Sequence, residues 1–402
     1  MQQRETYEWG DGVYTLLSWF KKEKVKNARV LVAGAGALGN EVVKNLALFG
    51  IGQIYVVDFD QIEISNLTRS VLFREEDAYN HAFKSEIVAK RAMEINPQIK
   101  VTPIVGNLFS EVGFGLYNSV DVIIGCLDSR IARYLLNRMA MRAGKTWVDG
   151  SIENMTGAVR VYTPGISCYE CGLSREEFNN IMLRTGCADV VRTQSNAGRV
   201  ATTPISASIV GAIQVQEAMK IIHLSEDEPV PFKTLQGKML RYEGLTNSVN
   251  TYKYASWKSL CPAHEHWENI IKEETLSALD TIGDTLSKLK KTLNVKAVEI
   301  NMRNNKFIDK IISDKPEKEF DIKLPESKLD DYITSNDELR KLSYRTLFHK
   351  CFFENIDESF PYMDMTLQQI GIPLFDVIQV STEKGMFCWR NSTPKMPQIS
   401  MM

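Results

Sequence analysis

The chain has 402 residues, 44% of them hydrophobic and 24% charged, with 48 Lys and Arg against 50 Asp and Glu for a formal charge of −2. Near neutrality offers no electrostatic pull toward nucleic acid or an anionic membrane, and the length favours two domains over one. The sequence leads us to expect no membrane span and no signal peptide. Seven unevenly spaced cysteines suggest a reducing, cytoplasmic setting.

In chain order, residues 1–28 are expected to hold an amphipathic helix over 12–24, with Val13, Leu16, Leu17 and Phe20 on one face. Arg29 to Ala33 is a short apolar run that reads as a buried strand. It enters Gly34-Ala35-Gly36-Ala37-Leu38-Gly39, and a helix follows with Leu38, Val42, Val43 and Leu46 on one side. Gly50-Ile51-Gly52 ends that helix, and Ile54 to Asp58 is a second strand closing on a carboxylate. Strand, glycine turn, helix, strand and acid make a mononucleotide-binding βαβ unit. Its glycines let the backbone approach a phosphate, and the helix N-terminus offers unpaired N–H groups to it.

Asp60, Asn66, Arg69 and Lys84 come next. Two cations beyond a strand whose carboxyl end faces the ligand suit a triphosphate better than a hydride donor. Further strands over 101–105, 120–126, 146–150 and 157–162 alternate with helices over 84–95 and 129–143. The expected fold is therefore α/β and Rossmann-like, a mostly parallel sheet with helices on both faces. Gly36, Asp58 and Asp128 all fall at the carboxyl ends of its strands. Asp128 suits Mg²⁺, or alternatively caps the helix that follows it.

Cys168-Tyr169-Glu170-Cys171 and Cys261-Pro262-Ala263-His264 are C-x₂-C and C-x₂-H pairs, suited to Zn²⁺ or, for the first pair, to plain burial. Cys187 lies in a loop with Arg184 and Arg192, cations that would stabilise a thiolate. Cys126, Cys351 and Cys388 read as core. Residues 204–223 form a long apolar helix, 234–243 return as strands, and 245–275 read as a linker. From 276 the chain turns lysine-rich, with Leu286, Leu289 and Leu293 on a helix and strands at 298–302, 375–381 and 386–390. This is a small α+β domain whose His349 has no evident partner. The expected domains are 1–28, 29–244 with a crossover loop at 172–200, 245–275, and 276–402.

The glycine turn with Lys44-Asn45-Leu46-Ala47, Asp58-Phe59-Asp60, Ser65-Asn66-Leu67-Thr68-Arg69, Lys84 with Ala89, Cys126-Leu127-Asp128-Ser129, and Arg133 with Asn137 stand in that order. Together they resemble the adenylyltransferases of the ubiquitin-activating-enzyme class, which includes the sulfur-carrier adenylyltransferases of molybdopterin and thiamine synthesis. The resemblance covers residues 24–224 and a short piece near 261.

It implies ATP held by Gly34, Gly36, Gly39, Asp58, Asp60, Asn66, Arg69, Lys84 and Asp128, with magnesium on Asp128. The substrate would be a ubiquitin-like or sulfur-carrier protein ending in glycine. The resemblance also implies zinc on Cys168, Cys171, Cys261 and His264, with His266 as the alternative fourth ligand. Cys187 resembles the thioester-forming cysteine of SUMO- and NEDD8-type enzymes, although Ala188 stands where threonine is usual. A homodimer is implied through the 204–223 helix. A heterodimer stays open, because the family's N-terminal arginine element is missing and Arg4 is the one arginine there. Residues 276–402 would be a ubiquitin-fold-like module recruiting a conjugating protein. The competing readings are an adenylyltransferase without a thioester step, a non-catalytic scaffold subunit and an NAD-dependent oxidoreductase.

Overall fold

The computed structural model describes residues 9, 13–108, 110–185, 202–224, 229–254, 256–264, 270–272, 276–302, 305–314, 316–343, 348–373 and 376–390. The chain divides into two compact units, one of residues 1–108 and 117–266, the other of 109–116 and 267–402.

The first unit is built on an eight-stranded sheet in the order β3-β2-β1-β4-β5-β6-β7-β8. Its strands are β1 Arg29–Ala33, β2 Gln53–Val57, β3 Lys100–Ile104, β4 Val122–Gly125, β5 Trp147–Glu153, β6 Thr156–Tyr162, β7 Lys238–Glu243 and β8 Ser248–Lys253. From β3 to β5 every pairing is parallel, and from β5 to β8 every pairing is antiparallel. The chain moves outward from β1 to β2 and β3, then returns to place β4 on the other side of β1. That reversal opens a crevice beyond the carboxyl ends of β1 and β4, the usual ligand position in such sheets.

The helices are α1 Lys22–Asn27, α2 Ala37–Phe49, α3 Glu75–Tyr79, α4 Lys84–Ile95, α5 Phe114–Ser119, α6 Arg130–Arg142, α7 Arg175–Thr185 and α8 Pro204–His223. Val30, Val32, Ile54, Val56, Val122, Ile124 and Val148 from the strands pack with Val42, Leu46, Val88 and Val210 from the helices in one buried cluster. Each such side chain contributes about 1.5–3 kcal/mol by leaving water. Helices α2 and α8 approach closely at Gly211, where a Cβ would sit 2.8 Å from that of Glu41.

Three expectations need correction here. The helix over 12–24 is instead a 3₁₀ turn, Tyr14–Leu16, followed by α1. Val13 and Leu16 are 72% and 83% exposed, so no apolar face is buried; Tyr14 and Phe20 anchor singly by stacking on Phe49. Part of the linker is strand β8, paired with β7 through a turn in which Asn247 takes φ 52°. Finally, α8 is long and apolar enough by length and composition to cross a membrane, and half of it is buried inside the protein. Its sheet-facing side also carries the buried polar residues Gln214 and Glu217.

The second unit is α+β. One sheet has the order β14-β10-β15-β16-β9 and the other β12-β11-β13. The strands are β9 Ile270–Lys272, β10 Val298–Asn301, β11 Phe307–Asp314, β12 Glu317–Pro325, β13 Phe348–Phe353, β14 Asn355–Ile356, β15 Val377–Thr382 and β16 Gly385–Arg390. Helix α9, Ile282–Leu293, starts with Thr281 Oγ1 accepting the Asp284 N–H and ends at Asn294 in the left-handed region. Its Leu286 and Leu289 pack on Val298, Ile300, Phe307 and Val380. Helices α10, Glu326–Ser335, and α11, Asp337–Ser343, complete the unit. His349 does have a partner, Asp314 Oδ1 at 2.7 Å. Cys351 and Cys388 are half-buried rather than core, because each sits on a strand with one side open to solvent.

Candidate functional site

The turn after β1 admits only glycine at two positions. Gly34 has φ +98°, and a Cβ there would lie 2.5 Å from the Cys126 carbonyl oxygen; one on Gly39 would lie 2.1 Å from the Gly34 oxygen. Gly36 is the reverse case. A Cβ there would meet nothing within 4 Å, so the backbone faces an open cradle of the kind a phosphate fills.

Asp58 braces this turn. Its Oδ2 accepts the Ala35 N–H at 2.7 Å and its Oδ1 accepts the Asp60 N–H at 2.8 Å. Burial pushes the Asp58 carboxyl up from its ordinary value; the Lys84 charge and the two N–H groups oppose that rise, and neighbouring Asp60 adds to it. Lys84 Nζ reaches Asp60 Oδ2 at 2.7 Å, the Lys84 N–H donates to the Asp60 carbonyl, and Ser85 Oγ donates to the Asp58 carbonyl. The start of α4 is thereby fixed to the end of β2.

Asn66 and Arg69 share the next turn. Asn66 Oδ1 accepts the Glu63 N–H at 3.0 Å, the Arg69 N–H donates to the Asn66 carbonyl, and Arg69 Nη1 donates to the Ser65 carbonyl at 2.9 Å. Among the described residues the Arg69 guanidinium forms no ion pair, and no contact joins it to Lys84. Buried Asn40, which the sequence reading missed, ties this segment to the glycine turn. It donates to the Ala35 and Gly36 carbonyls and accepts the Leu72 N–H.

Asp128 lies beyond the end of β4, beside the glycine turn. It does not cap α6: Ser129 does, its Oγ accepting the Ala132 N–H at 3.1 Å. The Asp128 side chain is exposed and, among the described residues, has no hydrogen-bond or ion-pair partner. A free carboxylate beside an open backbone cradle fits the oxygen chemistry of Mg²⁺.

Arg133 and Asn137 turn out to support the site from behind. Arg133 Nε donates to Asp149 Oδ1 at 2.8 Å, and Arg160 approaches Oδ2 of the same buried carboxylate at 3.5 Å. Asn137 is fully buried and accepts the Trp147 indole N–H and the Tyr169 N–H. With Arg138 clamping Glu170 at 3.0 and 3.1 Å, it holds the segment between Cys168 and Cys171 in place.

Cys168, Cys171, Cys261 and His264 converge, their ligand atoms all within 4.8 Å of one another. Cys168 Sγ lies 3.9 Å from Cys261 Sγ and 3.3 Å from His264 Nε2, which is 3.4 Å from Cys171 Sγ. Tetrahedral zinc with bonds of ~2.3 Å to sulfur and ~2.0 Å to nitrogen would space its ligands roughly 3.5–3.8 Å apart, so the donor set fits. The Cys171 and Lys258 N–H groups donate to Cys168 Sγ and Cys171 Sγ, and Trp257 stacks flat on the His264 ring. Burial pushes the Cys168 and Cys261 thiols up, which disfavours thiolates unless a cation offsets it. Cys126 is likewise pushed up by burial and then by Asp149, leaving it a protonated packing residue under the glycine turn. Cys187, His266 and Arg4 lie outside the described residues.

A model of the ThiF family matches residues 14–263. The chain is 31% identical over 288 residues to a probable molybdopterin-synthase adenylyltransferase of Pyropia yezoensis, covering 71% of each chain. It is 30% identical to the sulfur carrier protein adenylyltransferase of Thermus thermophilus, over 56% of this chain and 79% of that one. It is 35% identical to the SUMO-activating enzyme subunit uba-2 of Caenorhabditis elegans, over 38% of this chain and 27% of that one. Among solved structures it is similar to E. coli MccB with ATP, at 24% identity, 60% and 68% coverage, and a TM-score of 0.48. The matched span takes in the whole phosphate-facing wall from Gly34 to Asp128 and three of the four clustered zinc-type donors, and on that footing the chain belongs to the ThiF family of ATP-dependent adenylyltransferases.

Proposed function

We propose that the chain activates the C-terminal carboxylate of a ubiquitin-like or sulfur-carrier protein by joining it to AMP. A carboxylate oxygen attacks the α-phosphorus of ATP. The bond from that phosphorus to the bridging oxygen breaks, and pyrophosphate leaves with the electron pair. No proton has to move, because the attacking carboxylate is already ionised at neutral pH. Both reactants are anions, so the barrier is repulsion and alignment.

Lys84 and Arg69 stand where charge gathers on the departing pyrophosphate, and the N–H groups around Gly36 hold the phosphates in line. Magnesium, when bound at Asp128, would neutralise phosphate charge. The observation that carries this reading is the unpartnered Asp128 carboxylate beside the open glycine turn, at the crevice between β1 and β4. Relatives named for molybdopterin synthase, sulfur carriers and SUMO support a small protein as the substrate.

Beyond adenylation, Cys187 would accept the acyl group. Its sulfur bonds to the carbonyl carbon as AMP departs, and the C-terminal unit recruits the conjugating protein that receives the thioester. In this reading the enzyme works as a homodimer, with zinc on Cys168, Cys171, Cys261 and His264. A pathway ending at the acyl-adenylate is the second reading, favoured by the relatives named for sulfur carriers. Pyrophosphate exchange into ATP that requires an added glycine-terminated carrier protein tests the first step. Exchange unchanged by Lys84→Ala and Asp128→Ala would refute it.

A further inference from the structure

The segment between β4 and α6 is held at three successive residues. Gly125 gives its carbonyl to Gln214 Nε2 at 2.8 Å, the Cys126 N–H donates to the Ala33 carbonyl at 2.8 Å, and Leu127 gives its carbonyl to Arg133 Nη2 at 2.5 Å. The fourth residue, Asp128, projects with its carboxylate unpaired. Arg133 is itself fixed from below. Its Nε donates to Asp149 Oδ1 and its Nη2 also reaches the Gly150 carbonyl at 3.1 Å, while Asp149 is only 1% exposed.

A carboxylate that deep is tolerated because two arginines converge on it. Burial works against the Arg133 charge, but the field and hydrogen bond of Asp149 more than restore it. The planar guanidinium therefore spans three acceptors on two neighbouring strand ends: Asp149 and Gly150 on β5, and Leu127 beyond β4. An ammonium on a flexible stem does not reproduce that fork.

We infer that Arg133 and Asp149 are positioning residues, a buried pair that fixes the Leu127 carbonyl and so aims the Asp128 carboxylate at the metal-bound phosphates. The inference rests on the reading of Asp128 as the magnesium ligand. Outer partners of this kind govern metal affinity without touching the metal. Arg160, on the other oxygen of Asp149, keeps the pair neutralised but makes no contact with the Leu127 carbonyl.

The test is calorimetric titration of the full chain with ATP, with magnesium and again in its absence. Wild type, Asp128→Asn, Arg133→Lys, Asp149→Asn and the Asp128→Asn/Arg133→Lys double variant are compared, with unfolding midpoints as the folding control. The expected result is that magnesium tightens ATP binding to wild type and that Asp128→Asn loses this gain. Arg133→Lys and Asp149→Asn should weaken binding of the magnesium complex at least about tenfold while leaving metal-free ATP unchanged. The double variant should bind no worse than Asp128→Asn alone.

Asp149→Asn keeps the shape of the carboxylate but not its charge, so if it does not fold, Arg133→Lys decides the matter. Wild-type magnesium dependence in Arg133→Lys, or equal loss with and without magnesium, overturns the inference. A full magnesium gain in Asp128→Asn overturns the reading beneath it, and the inference with it.

Discussion

Asp58 and Ala35 lock the end of β2 to the turn after β1: the Ala35 N–H donates to Asp58 Oδ2 at 2.7 Å, and the other oxygen takes the Asp60 N–H. The acid that ends the second strand thus shapes the phosphate cradle as well as facing the nucleotide. Asp58→Ala should leave two N–H groups without their acceptor. We expect a loss of about 1–3 kcal/mol in stability, together with weaker ATP binding. Denaturant unfolding and ATP titration check both effects, and Asp58→Asn, which keeps one acceptor, should fall between.

The cysteine–histidine cluster joins residues 168–171 to 261–264, so metal there closes a long loop. One zinc per chain is expected by metal analysis of protein purified without chelator, and Cys168→Ala or His264→Ala should abolish it. Zinc at a hundred times its dissociation constant adds about 2.7 kcal/mol to stability, and removing it should lower the unfolding midpoint accordingly. Zinc retained in His264→Ala would move the fourth ligand to His266.

The parts legible in the sequence were those with a repeating or punctuated pattern. Arg29 to Asp58 announced strand, turn, helix and strand because apolar runs and glycines alternate there. The two C-x₂ pairs showed themselves by spacing. Polar residues buried inside regular elements gave no such signal: Asn40, Asp149 and Gln214 occupy ordinary helix or strand positions, and only packing shows what they hold. Strand β8, Ser-Val-Asn-Thr-Tyr-Lys, is an exposed edge with little apolar alternation, so it read as linker. The role of Asp128 hung on its neighbour, since either it or Ser129 could have capped α6.

Cys187 should form a thiol-sensitive conjugate with the carrier protein if the pathway proceeds past the adenylate. Cys187→Ala is then expected to retain pyrophosphate exchange within about twofold, because a loop thiol takes no part in attack at phosphorus. Non-reducing electrophoresis after incubation with ATP reads the conjugate directly. Its absence in wild type, with exchange intact, would favour the pathway that stops at the acyl-adenylate.

His223 gives the fold a definite pH response. It is 2% exposed, with Nε2 accepting the Lys21 N–H at 3.0 Å and Nδ1 placed 2.7 Å from the Met219 carbonyl, so its partners require the neutral ring. Burial lowers its pKa below 6.5; the Met219 carbonyl opposes this, and Lys24 and Lys21 add to the lowering. A depressed folded value means the contribution is present above the unfolded value of 6.5 and is lost as pH falls through the folded one. At pH 7.5, His223→Gln should cost about 1–3 kcal/mol, and the gap from wild type should narrow by pH 5. Urea unfolding at the two pH values measures it, and a constant gap would contradict the assignment.

The central claim is that this chain makes an acyl-adenylate at a protein C-terminus. Its most direct measurement is the intact mass of a glycine-terminated carrier protein after incubation with enzyme, ATP and magnesium, with pyrophosphatase added to draw the reaction forward. The account predicts a carrier heavier by one AMP, hydrolysable at its C-terminus. Lys84→Ala and Asp128→Ala should reduce the yield about 10²–10³-fold at a similar unfolding midpoint. An unmodified carrier with every glycine-terminated protein tried, or full yield in both variants, would contradict it.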